Sequence, residues 1–121
     1  MRNILICDDE REIVEGLLIL LKQHEVNLLP CYSGDEAISI LKIESVDIVV
    51  CDFMMPDGTG EDVLKYLRTR GESFPESFIF FSAHFNLLGF SQPSVTVIPK
   101  PEIRNLIATV KSELLRLKEK N

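Results

Sequence analysis

The chain has 121 residues, 45% apolar and 26% charged, with a formal net charge of −6. Those values describe one globular domain, read here as residues 1–121, able to bury roughly 65–70% of its unfolded surface. The acidic balance argues against direct nucleic-acid binding and against an anionic membrane surface, since both need a cationic footprint. No run approaches the ~20 apolar residues of a membrane span, so a cytoplasmic protein is expected.

Asn3 to Cys7 reads as a short buried strand that ends in Asp8-Asp9-Glu10. Ile13, Val14, Leu17, Leu18, Leu20 and Leu21 then repeat at helical spacing, which predicts a helix from about Glu10 to Gln23 with its acidic residues at the N-terminus, as the dipole prefers. Val26 to Cys31 is a second strand, and Pro30 places it at a sheet edge, because proline cannot donate to a ladder on both sides. Ser33 caps the next helix, with Glu36 three residues on and Ala37, Ile38 and Leu41 as its apolar side.

Ile48 to Cys51 is a continuous apolar run, the mark of a strand buried on both faces. It delivers the carboxylate of Asp52 to its carboxyl end, where a Pro/Gly-rich loop leads past Gly60 into a third helix carrying Val63, Leu64 and Leu67. Phe78 to Phe81 is a fourth strand, reaching Ser82. The stretch from Ala83 to Ser94 is poorly periodic and broken by Gly89 and Pro93, so at most a short or irregular helix is expected there. Val95 to Ile98 is a fifth strand, followed by Pro99-Lys100-Pro101 and a last helix from Glu102 or Ile103 to about Lys118. Cys7, Cys31 and Cys51 sit singly inside apolar runs and read as buried reduced thiols.

Strand and helix thus alternate, which predicts an α/β fold: a doubly wound, five-stranded parallel sheet in the flavodoxin-like order 2-1-3-4-5. In such a sheet ligands bind outside the carboxyl ends of the strands. Asp8 and Asp9, Asp52, Ser82 and Lys100 each follow such an end. Clustered carboxylates repel and gain protons unless a cation compensates. Hard oxygen donors with room for water suit Mg²⁺, with Mn²⁺ able to substitute. Lys100 adds a point charge suited to phosphate. A site with these parts could receive a phosphoryl group on Asp52, with Ser82 hydrogen-bonding one of its oxygens.

Asp8-Asp9, Asp52-x-x-Met55-Pro56-x-x-x-Gly60, Ser82-Ala83 and Lys100-Pro101, in that order along essentially the whole chain, resemble the receiver domain of two-component response regulators. The resemblance implies a phosphorylation-dependent switch rather than a conventional enzyme. Its phosphoryl donor would be a sensor histidine kinase or a phosphotransfer protein, and its target a downstream protein. It implies Mg²⁺ bound by Asp9, Asp52 and the backbone carbonyl of Met54, with Asp8 acting through water. Lys100 would contact the phosphoryl oxygens, Ser82 would move toward them, and the Lys100-Pro101 bond would be cis.

Two features depart from the family pattern. The residue three positions before the lysine is Val97 instead of an aromatic, and the segment between Ser82 and Lys100 is short. Both point to an atypical output surface. His84, two residues after Ser82, either tunes access of hydrolytic water or is an ordinary loop histidine. The alternative function is a pseudo-receiver, an interaction module of the same fold that is never phosphorylated. A metal-dependent phosphatase with Asp8 as nucleophile and Glu10 as second acid is a further rival, one for which no substrate pocket is evident.

Overall fold

In the computed structural model, residues 1–22, 25–83 and 93–120 are described. They form β1 (Arg2–Cys7), α1 (Arg11–Leu21), β2 (Val26–Cys31), α2 (Gly34–Ile43), β3 (Ile48–Cys51), α3 (Gly60–Thr69), β4 (Ser77–Ser82), β5 (Val95–Pro99) and α4 (Ile103–Lys120). All five strands are parallel, in the order β2-β1-β3-β4-β5. This is the predicted fold class and strand order. Most of the stretch from Ala83 to Ser94, where a short or irregular helix is expected, lies outside the described residues, as does His84.

Alternation along each strand divides the core into two layers. Leu5, Cys7, Val49, Cys51, Phe78 and Phe80 face α2 and α3, which contribute Ala37, Leu41, Val63, Leu64 and Leu67. Ile4, Ile6, Ile48, Val50, Ile79 and Phe81 face the opposite layer, with Val14, Leu17 and Leu21 of α1 and Leu106, Val110 and Leu117 of α4. All four residues of β3 are buried, because a central parallel strand is covered on both faces. β2 is the edge strand that Pro30 requires. It is less enclosed, with only Cys31 fully buried.

Helix starts follow local chemistry. The Ser33 hydroxyl accepts the Glu36 N–H at 3.1 Å, and Glu36 Oε1 accepts the Tyr32 N–H at 2.9 Å. Thr59 and Asp62 form a reciprocal capping box at α3, with bonds of 3.1 and 3.0 Å. Such caps satisfy amide groups that the helix itself cannot. α1 differs: it starts at Arg11, and its Glu10 makes no side-chain cap, since that carboxylate is used elsewhere. The three cysteines are buried and free, as expected.

Candidate functional site

β1, β3, β4 and β5 end together, so the residues that follow them are neighbours. The β1 ladder continues past Cys7 through the Asp52 N–H, which donates to the Cys7 carbonyl at 3.0 Å. The Lys100 N–H donates to the Ser82 carbonyl at 3.0 Å, tying β5 to β4 at the same level. Backbone pairing therefore sets the spacing of the acidic and basic side chains before those side chains interact.

Carboxylate oxygens of Asp8, Asp9 and Asp52 all lie within 4.8 Å of one another. Asp8 and Asp52 are buried, at 2% and 6% exposure, whereas Asp9 is open to solvent. Lys100 Nζ is 2.9 Å from Asp8 Oδ2, 3.3 Å from Asp52 Oδ2 and 3.5 Å from Glu10 Oε1. Asp8 Oδ1 also accepts the Glu10 N–H at 2.9 Å. Asp9, Glu10, Asp52, Met54, Ser82, Ala83 and Lys100 line an open cleft of about 350 Å³. The Lys100–Pro101 peptide is cis, as the resemblance implied.

The carboxylates of Asp8, Asp52 and Glu10 thus share one ammonium, and that of Asp9 lies beside Asp8 and Asp52. Burial, partly offset by the Lys100 hydrogen bond, raises the Asp8 carboxyl from 3.8 to about 6. For Lys100, burial alone would lower the pKa. The hydrogen bond with Asp8 and the Asp52 charge outweigh it, and the ammonium is held above its ordinary value. A buried carboxylate this close to others is stabilised by a further cation. The donors are hard oxygens beside an open cleft that admits water, and they fit a divalent ion such as Mg²⁺.

The structure brings together Asp8, Asp9, Asp52, Ser82, Lys100 and Met54. Ser82 is buried at the end of β4 and lines the cleft. Met54 is 55% exposed at the cleft mouth, whereas Met55 is buried with its Sδ 3.7 Å from Cys7 Sγ. Glu10, named from the sequence only as the second acid of the phosphatase alternative, is a further participant through Lys100. The sequence signal for it is the unbroken run Asp8-Asp9-Glu10, three acids where a helix cap needs one. Val97 is half-buried in β5, in register with Phe80, and packs against the α2/α3 layer of the core.

A larger cleft of about 910 Å³ opens at the other end of the sheet, among Arg2, Glu25, Asp47, Lys111 and Lys118. Its Arg2–Asp47 pair is an internal tie of 3.4 Å. The converging carboxylates and Lys100 are at the smaller cleft.

The sequence pattern of the response regulator receiver domain matches residues 4–110. The transcriptional regulatory protein CpxR of Klebsiella pneumoniae is 33% identical over 121 residues, covering 96% of this chain and 50% of that protein. The response regulator SaeR of Staphylococcus aureus is 30% identical over 124 residues, covering 98% and 53%. The chain spans about half the length of the curated relatives it matches. Solved structures share the fold. One is the signal receiver domain of a putative Luxo repressor protein from Vibrio parahaemolyticus, with a TM-score of 0.85 and 22% identity over 99% of this chain and 95% of that one. Another is TrrA from Thermotoga maritima in complex with Mg(2+)-BeF, with a TM-score of 0.77 and 24% identity over 93% and 99%. Among the described residues no helix is long and apolar enough to cross a membrane.

Proposed function

We propose that this chain, which belongs to the response regulator receiver domain family, is a phosphorylation-dependent switch with Asp52 as its phosphoacceptor. The donor would be a sensor histidine kinase or a phosphotransfer protein, and the recipient of the signal a downstream protein. Receiver domains are signalling domains and not classical enzymes. The only chemistry attributed to this chain is transfer of the phosphoryl group to itself and its slow hydrolysis.

One observation carries the reading: Asp52 sits at the carboxyl end of the central strand with Asp8, Asp9 and Lys100 packed about it. An Asp52 carboxylate oxygen attacks the phosphorus of the donor, and the bond from phosphorus to the donor nitrogen breaks as the new P–O bond forms. Negative charge then grows on the phosphoryl oxygens above Asp52. Lys100, already 3.3 Å from Asp52, turns its ammonium onto one of them, and the Ser82 hydroxyl donates to another. Asp9, Asp52 and the Met54 carbonyl would hold Mg²⁺, with Asp8 acting through water, and the ion would neutralise phosphoryl charge.

Drawing Lys100 and Ser82 toward a phosphoryl group displaces the ends of β4 and β5, which biases two conformations already in equilibrium. Val97 offers no ring to swing inward, so the signal has to travel by the strand ends and by whatever surface they support. The test is a titration with beryllofluoride, a phosphoryl mimic, followed by amide NMR. The expected result is a Mg²⁺-dependent shift of the Asp52, Ser82 and Lys100 amides. Unperturbed amides at these positions would instead favour an interaction module of the same fold that is never phosphorylated.

A further inference from the structure

The β3–α3 loop carries the Met54 carbonyl. Its anchorage lies outside the cleft. The first turn of a helix leaves amide groups without intrahelical partners. In α2 the Ser33 hydroxyl takes the Glu36 N–H. The Gly34 N–H donates to the Gly58 carbonyl and the Asp35 N–H to the Asp57 carbonyl, both at 3.0 Å. Two successive loop carbonyls can face the helix because Asp57 and Gly58 have φ of 51° and 98°.

The approach leaves no room for side chains. A Cβ on Gly34 would strike the carbonyl group of Gly58, and a Cβ on Gly58 would lie 2.7 Å from Asp35 Oδ1 and 2.8 Å from Asp35 N. The loop is held at two further places. The Gly60 N–H donates to the Phe53 carbonyl at 2.9 Å, and Met55 is plugged into the core against Cys7. Between Phe53 and Met55, Met54 is exposed and lines the cleft.

We propose that the first turn of α2, through Gly34 and Asp35, is a positioning element that clasps Asp57 and Gly58 and so sets the Met54 carbonyl for metal binding. This rests on the receiver reading of the site. Gly34 and Gly58 touch no reacting group; they act through the loop.

The experiment measures Mg²⁺ affinity by calorimetric titration for the wild type, Gly34→Ala, Gly58→Ala, the double variant and Gly16→Ala. A Cβ on Gly16 meets nothing within 4 Å, which makes it the control. Both clasp variants are expected to lose roughly tenfold or more in affinity, the usual cost of losing an outer support of a metal ligand. The double variant should lose no more than the worse single one, because one clasp can be broken only once. Gly16→Ala should bind as the wild type does, and saturating Mg²⁺ should restore labelling of Asp52 by acetyl phosphate in the clasp variants.

A folded Gly34→Ala chain with wild-type affinity, or additive losses in the double variant, overturns the proposal. If Gly34→Ala does not fold, Asp35→Pro reads the same coupling. It removes the N–H donated to Asp57 at a first-turn position where proline is tolerated, and unchanged affinity there is equally fatal. Failure of the wild type to bind Mg²⁺ contradicts the receiver reading. Normal wild-type binding with unaffected clasp variants contradicts the clasp alone.

Discussion

Replacing Asp8 with asparagine keeps the side chain's size and removes its charge, and in metal-free protein this should stabilise the fold. Burial raises the Asp8 carboxyl from 3.8 to about 6, a rise of roughly two pH units. At 1.36 kcal/mol per unit, holding Asp8 ionised in the folded state costs about 3 kcal/mol above pH 6. The sign follows from proton counting. Between 3.8 and about 6 the folded state binds the Asp8 proton more tightly than the unfolded chain does, so this group's contribution to stability is present below 3.8 and is lost as pH rises through 6.

Asp8→Asn should therefore be about 1–3 kcal/mol more stable than the wild type at pH 7.5, the Lys100 pairing being already contained in the rise to about 6. The gain should shrink steadily and vanish near pH 4. Urea denaturation followed by circular dichroism, in EDTA and across pH 4 to 8, reads the difference directly. Millimolar Mg²⁺ should reverse the ranking, since an ion that binds only the folded state stabilises the chain with the fuller ligand set. A variant less stable than the wild type at pH 7.5 in EDTA, or a gain independent of pH, would refute the reasoning.

Lys100→Met leaves the surrounding carboxylates without their ammonium; it should lose about 2–4 kcal/mol in EDTA by the same denaturation assay, with much of the loss recovered in Mg²⁺. Ser82→Ala should still accept phosphate on Asp52, but the beryllofluoride-induced shifts of the β5 amides should fall to a minor fraction of the wild-type values. Glu10→Gln relieves one competitor for Lys100 at 3.5 Å, and its initial rate of labelling by acetyl phosphate should rise about two- to fivefold, the scale of one exposed ion pair.

The strand order was legible because each strand declares its depth. The continuous run Ile48–Cys51 announced a central strand, and Pro30 announced an edge. The site was legible because four motifs each follow a strand end, and parallel pairing brings those ends together. The pairing of Glu10 with Lys100 was not, since an acid at the start of a helix has an ordinary reason to be there, and it is the fold that brings its carboxylate to Lys100. Nor was the Gly34–Gly58 contact, because a glycine at a helix start and one in a distant loop carry no sequence sign that they meet. At α1 the helix expected from about Glu10 starts at Arg11, and the Glu10 carboxylate pairs with Lys100.

Intact-mass analysis after incubation with acetyl phosphate tests the central claim most directly. The wild type should gain one phosphoryl group in Mg²⁺ and none in EDTA, the adduct should map to the peptide containing Asp52, and Asp52→Asn should gain none. A wild-type chain that binds Mg²⁺ yet gains no phosphoryl group, or one labelled equally well after Asp52→Asn, would contradict the account.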